Sequence, residues 1–326
     1  MKAIQATALT GPAGLRLTSV PTPSDHGRVV VAVRAVGVNF PDLLMTYGKY
    51  QRRTQPPFVP GVEISGVVVA APPRSTVAPG EEVVAFCTEL GGYAEFVAVD
   101  PMMVTAKPPE LDFAEAAALP ANFQTVHFAL TRRARVQAGQ RVLVLGAAGG
   151  IGTAAIQIAK ALGATVIAVA RRQRVARQLT MLGADHVIPL AAGWVQQIRD
   201  LTCGEGIDHV VDPVGGSAFD DAIGTLASGG SLLVVGFASG EPIPAVSVDR
   251  LLRRNVSVAG VAWGEYVRTR PSAFADSMTD LRGLAKAGFR PYISKRYPLA
   301  DAPAALTALE QGTVVGKAVV EIATPA

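Results

Sequence analysis

Two cysteines in 326 residues, Cys87 and Cys203, are too few for a disulfide framework or a four-cysteine zinc lobe, and they suit a reducing compartment. Each is expected to serve as a plain apolar residue. Histidine is equally scarce. His26, His127, His186 and His209 lack the spacing of a metal set, and none neighbours an obvious serine or cysteine nucleophile. Asp208 and Asp212 flank a strand and are expected to terminate it rather than act as paired acids. The basic excess is small, +4, and its arginines and lysines are scattered without interleaved aromatics, which argues against nucleic acid as a partner. The opening MKAIQATALTGPAG has no charged region followed by a long apolar one, so a first strand is expected there rather than a leader. Residues 142–159 carry no charge, but four glycines, Gln157 and a change of period within the run argue against a membrane-spanning helix. A soluble cytoplasmic protein is the expectation.

What is present is hydrophobic content, 49%, over a length beyond the usual limit for a single core, so two domains are expected. The stretch that organises them is Arg141 to Ala170. Val142 to Leu145 is a short apolar run of the kind a buried parallel strand needs, and Gly146-Ala-Ala-Gly149-Gly-Ile-Gly152 follows it at once. Ile151, Ala155, Ile158, Ala159 and Leu162 then recur at helical spacing, Gly163 stops the helix, and the β-branched run Thr165 to Val169 begins the next strand. Strand, glycine turn, helix and strand make one βαβ unit. A dinucleotide pyrophosphate lies against backbone N–H groups at such a helix start, where a Cβ would intrude, so Ala148, Gly149, Gly150, Ile151 and Gly152 are candidate cofactor contacts. The pattern departs from the usual one in having Ala147 at its first position.

An NAD site places Asp or Glu at the end of the second strand for the ribose hydroxyls. This chain has Arg171 and Arg172 there, guanidinium groups suited to a 2′-phosphate, so NADPH is the expected cofactor. The alternative is a solvated basic helix start.

Before this unit the chain is β-rich, with runs Val29 to Val38, Ile64 to Ala71 and Glu82 to Phe86 punctuated by prolines, which predicts a small barrel-like domain. Helical segments near 112–119 and 122–133 bridge to strands beginning at Val142, Thr165, His186, Asp208, Ser231 and Val256, a doubly wound parallel sheet. The last stretch alternates a helix over 272–286, a strand over 292–297, a helix over 301–309 and a strand over 316–322. Too small for a core of its own, it is expected to return to the first domain. The fold class is thus α/β, in three segments: residues 1–121, 122–260 and 261–326.

Val36-Gly-Val-Asn39-Phe-Pro-Asp42, Tyr50, Pro60-Gly-Val-Glu63-Ile-Ser-Gly66, Ala147-Ala-Gly149-Gly-Ile-Gly152, Asp212-Pro-Val-Gly-Gly216, Val235-Gly-Phe-Ala-Ser239 and Gly316-Lys317 together resemble the zinc-independent quinone oxidoreductases of the medium-chain dehydrogenase/reductase superfamily. The resemblance spans nearly the whole chain. It implies a GroES-like catalytic domain, a Rossmann domain, a cleft between them and a homodimer through the last Rossmann strand. Asn39 stands where zinc-dependent members have a cysteine and Val62 where they have a histidine, so no zinc is expected.

Without a Lewis acid, hydride transfer rests on positioning and on hydrogen bonds to the oxygen that becomes negative. Asn39 and Tyr50 are the candidate donors; the alternatives are a turn residue and a packing ring. Glu63 is expected to order a turn or to pair with an arginine. The resemblance further implies that Thr125 approaches the nicotinamide and that Phe237, Ala238 and Ser239 line its ring and ribose. Trp263 joins this cofactor-side set, either walling the acceptor or filling the domain interface. Lys317 either reaches the cofactor from the closing strand or is an ordinary exposed lysine.

The expected activity is NADPH-dependent reduction of quinones or related conjugated carbonyl compounds. Two alternatives stand beside it: reduction of an enoyl thioester or acrylate, and NADPH binding without turnover in a sensor or structural protein.

Overall fold

The computed structural model describes residues 1–51 and 53–323. The chain divides into two compact units, Met1–Gln124 with Gly264–Ala326 and Thr125–Trp263.

The first unit opens with strands β1 (Lys2–Ala6) and β2 (Leu15–Ser19), an antiparallel pair. Strands β3 (Val29–Gly37), β4 (Glu63–Ala70), β5 (Glu82–Phe86), β6 (Phe96–Val99) and β7 (Val104–Ala106) follow. β3 is the hub. Eight of its nine residues are buried, and it pairs antiparallel with β4 and β6. Such a doubly covered strand reads as a near-continuous apolar run. The proline pairs at 56–57, 72–73 and 108–109 all fall in loops, where no ladder N–H is needed. β3 ends in a short helix, Phe40–Thr46. Pro41 lies in its first turn and an Asn39/Asp42 capping box closes its start.

A helical stretch leads out of this unit, Phe113–Ala117 followed by a wider π-type turn over Leu119–Phe123. The widening has a local cause. Pro120 has no N–H to give, and the Ala121 N–H is diverted out of the helix to the Glu63 carboxylate, 2.6 Å away.

The second unit holds β8 (Arg141–Val144), β9 (Thr165–Ala170), β10 (His186–Pro189), β11 (Ile207–Asp212), β12 (Leu226–Val234) and β13 (Ser257–Gly260). They form one parallel sheet in the order β10-β9-β8-β11-β12-β13. This is the doubly wound order, whose reversal lies between β8 and β11. Its core includes Leu143, Ile167, Val169, Val210 and Leu232 from the strands and Ile198, Phe219 and Ile223 from helices.

The chain then returns to the first unit with β14 (Ile293–Pro298) and β15 (Lys317–Glu321). β15 pairs antiparallel with β3, Val319 opposite Gly37, and parallel with β14, completing a seven-stranded sheet. Val319 packs with Ala35, Ala114 and Ala117 beneath that junction. Among the described residues, no helix is long and apolar enough to cross a membrane.

Candidate active site

The end of β3, the starts of β4 and β15 and the π-type turn bring polar groups to one buried point in the first unit. Lys317, the first residue of β15, is 3% exposed, and its Nζ donates to Asn39 Oδ1 at 2.6 Å and pairs with Glu63 Oε1 at 2.5 Å. Asn39 Nδ2 donates to Glu63 Oε1 (2.8 Å) and to the Gly37 carbonyl (3.1 Å). The other Glu63 oxygen, Oε2, takes the Ala121 N–H. A Cβ at position 37 would run into the Glu63 side chain, which its bonds hold in place, so glycine makes room for the carboxylate.

Beside this cluster lies Asp42, also wholly buried. Its Oδ2 accepts the Asn39 backbone N–H at 3.0 Å and the Tyr93 hydroxyl at 3.2 Å, while Oδ1 has no partner among the described residues. Burial pushes its carboxyl up to about 7, with Glu63 adding to the rise; the Asn39 N–H, Lys317 and Tyr93 oppose it. Burial and the two carboxylates also raise the Tyr93 phenol and the Cys87 thiol, which therefore stay protonated. Among the described residues, no three His, Cys, Asp or Glu side chains converge as a metal set.

Three expectations are corrected by this geometry. Asn39 spends both amide hydrogens within the protein, so none is left for an acceptor oxygen; its place is internal. Lys317 is not an ordinary exposed lysine, since the ion pair with Glu63 and the bond to Asn39 hold it in. Glu63 pairs with this lysine rather than with an arginine. Tyr50 differs from Asn39. It is half-buried, and its phenol is raised by burial, then by Asp42 and Glu265, so the hydroxyl stays protonated and able to donate. Asp42, Tyr93 and the Ala121 N–H were not singled out from the sequence, although the spacing Asn39-x-x-Asp42 is a capping signal.

In the second unit, the helix Gly150–Ala161 starts directly after the glycine turn. Its first full helical bond runs from Thr153 N to Gly149 O, so the N–H groups of Gly150, Ile151 and Gly152 have no intrahelical acceptor. An anion fits such a start. Gly149 is exposed, and a Cβ there would meet only the Gly146 carbonyl, at 3.4 Å, before open space. Gly152 is buried, and a Cβ on it would lie 2.5 Å from Ala147 Cα, so this glycine lets helix and turn approach. The positive φ that the turn demands, +56°, falls on Gly146, which is why alanine is tolerated at 147. The residues present thus fit a dinucleotide pyrophosphate. Ala148 is buried beneath the turn.

Arg171 and Arg172 follow β9 directly. Arg171 is exposed; the Arg172 guanidinium is lowered by burial and then by Arg174 and Arg171, a sign of concentrated positive charge. At the end of β11, Asp212 Oδ1 accepts the N–H groups of Val214 and Gly215 at 2.7 and 2.9 Å and folds that turn. Ala238 N then bonds Pro213 O and Ser239 N bonds Val214 O, which extends the parallel ladder past the strand ends. Phe237 is left 37% exposed on this platform. Thr125 is half-buried at the start of the unit. Trp263 is 4% exposed and lies 5.7 Å from Phe128, so it is a packed ring with little surface for a cofactor, a correction to its place in the lining set.

Comparison with known proteins agrees with both units. Residues 25–109 match the alcohol dehydrogenase GroES-like domain and residues 150–281 the zinc-binding dehydrogenase model. The quinone oxidoreductase-like protein 2 homolog of Nematostella vectensis is 34% identical over 90% of this chain and 81% of its own length. Among solved structures, a probable oxidoreductase from Mycobacterium abscessus is 50% identical, with a TM-score of 0.92 over 98% of both chains. The quinone oxidoreductase from Thermus thermophilus, solved also in complex with NADPH, is 36% identical with a TM-score of 0.84 over 98% of this chain and 100% of its own. On the strength of these matches, the chain is an oxidoreductase that belongs to the quinone oxidoreductase family of the medium-chain dehydrogenases/reductases.

Proposed function

We propose that this oxidoreductase uses NADPH to reduce quinones or related conjugated carbonyl compounds, without zinc. The observation that carries the cofactor choice is the arginine pair, Arg171 and Arg172, at the end of β9, where an acidic residue would favour NAD. When bound, the reduced nicotinamide supplies hydride. The protein's part is to hold and orient. The N–H groups of Gly150, Ile151 and Gly152 receive the pyrophosphate, and the Arg171 guanidinium pairs with the 2′-phosphate. The ladder through Ala238 and Ser239 holds Phe237 where it would line the nicotinamide. Tyr50, its phenol held neutral, donates to the acceptor oxygen as negative charge grows on it, an interaction stronger in the transition state than in the ground state. The acceptor class is supported by the quinone oxidoreductases among the relatives. In the homodimer that the resemblance implies, the open edge of β13 would pair with its copy; the helix that precedes β13 in the chain exposes Val248 and Leu252, which is consistent with that role.

Arg171→Asp tests the cofactor assignment. NADPH should bind roughly tenfold more weakly or worse, with NADH little changed, because the substitution removes an attraction and adds a repulsion specific to the 2′-phosphate. Equal losses for both cofactors would remove the assignment. Following NADPH oxidation with a benzoquinone, a simple enone and an enoyl thioester tests the acceptor: fastest turnover of the thioester would move the protein to alkene reduction.

A further inference from the structure

The Lys317 cluster has no part in the cofactor contacts above, yet it joins four chain segments at one point. A lysine is almost never this buried without partners. Its ammonium meets the Asn39 carbonyl oxygen on β3's exit and the Glu63 carboxylate on β4, and that carboxylate in turn takes the Ala121 N–H from the π-type turn. Stability alone does not account for the arrangement, because an apolar group of similar volume would fill the space without desolvating two charges.

The ammonium has a specific structural consequence. With Oδ1 turned to Lys317, Asn39 must aim Nδ2 at Gly37 O and Glu63 Oε1, both acceptors. A rotated amide would set its oxygen against those two oxygens and its NH2 against the ammonium, three repulsions in place of three bonds. Asn39 is also the residue whose backbone N–H closes the capping box with Asp42 and starts the helix Phe40–Thr46, after which the chain runs on to Tyr50.

We propose that Lys317 is a positioning residue for the acceptor loop: its ammonium is a fixed internal cation that locks Asn39 and Glu63 and so sets the course of residues 39–50 and the place of the Tyr50 hydroxyl. This rests on the reading of Tyr50 as the acceptor-side donor. The returning C-terminal segment thereby controls the acceptor side of the reaction while leaving the cofactor turn, in the other unit, untouched.

The test compares Glu63→Gln with the double variant Glu63→Gln/Lys317→Met in the full-length protein. The double variant removes the ammonium without leaving an uncompensated carboxylate at 63; the single one keeps the bond from Lys317 to Asn39. Hydrogen exchange is read over peptides covering 39–51 and 150–161, together with NADPH affinity by fluorescence and kcat and KM for a benzoquinone. In the double variant, exchange over 39–51 should quicken roughly tenfold while 150–161 is unchanged. Its NADPH Kd should stay within about twofold and kcat with the quinone should fall by about tenfold. The single variant should keep 39–51 protected. The proposal is overturned if exchange over 39–51 is unchanged in the double variant, if the single variant loosens it equally, or if NADPH affinity falls by about tenfold with exchange unchanged, which would make Lys317 a cofactor contact. Wild-type protein silent toward quinones, with the exchange response intact, would remove the acceptor reading and leave the clamp standing.

Discussion

Asp42 lies wholly buried with one oxygen lacking a partner among the described residues, which makes its ionised form costly. Its carboxyl titrates near 7 in the folded protein, against the ordinary carboxylate value when unfolded. The sign of the linkage follows. Between those two values the folded state holds a proton that the unfolded state has lost, so this group's contribution to stability is full below about pH 4 and is lost as pH rises through about 7. Asp42→Asn can still accept from the Asn39 N–H and Tyr93 through its amide oxygen, but cannot ionise. The variant should therefore gain stability relative to wild type as pH rises from about 5 to about 8, measured as the difference in Tm at each pH. Parallel Tm curves would mean that Asp42 does not titrate in that window.

At the level of elements, the unit that runs through β8, the glycine turn, its helix and β9 was legible because each part depends on local rules: apolar strands, a stop at Gly163, helical periodicity between. Gly152 is where those local rules meet packing. Gly152→Ala would drive a Cβ against Ala147 and the Gly146 carbonyl, both backbone, which cannot give way as a side-chain tip can. We expect a loss of about 1–3 kcal/mol, seen as a lower midpoint in thermal or denaturant unfolding, together with weaker NADPH binding. Unchanged stability would show that the turn relaxes freely. The helical bridge was less legible. Its segments appear in the sequence as ordinary helix, but the π-type widening at Leu119–Phe123 depends on where the Ala121 N–H goes, and its acceptor, Glu63, lies 58 residues away.

Across the whole molecule, the two units differ in how the chain builds them. The second is continuous, residues 125–263, whereas the first needs its last two strands from the far end of the chain. Ending the chain after residue 263 would strip β15 from β3 and remove the partner of Glu63 and Asn39. The truncated protein should lose the first unit's transition in calorimetry while the second unit still melts cooperatively, its parallel sheet and core being intact. Two transitions surviving truncation would show that the returning strands are dispensable.

The sequence by itself determined the strand and helix periods, the doubly wound sheet, the glycine turn and the arginine pair after β9, because each is written in residues close together in the chain and obeys local geometry. It also carried Asn39 and Tyr50 as candidate donors and Lys317 as a candidate cofactor contact, as members of a resemblance. Only the tertiary structure decided what they do to one another. Lys317 and Asn39 are 278 positions apart, and whether a lysine faces solvent, a cofactor or a buried amide depends on which strands pair, here β15 with β3. Hydrogen-bond capacity is finite: once Lys317 and Glu63 have claimed the Asn39 amide, its role as a donor to substrate is gone, and no local pattern along the chain records that claim.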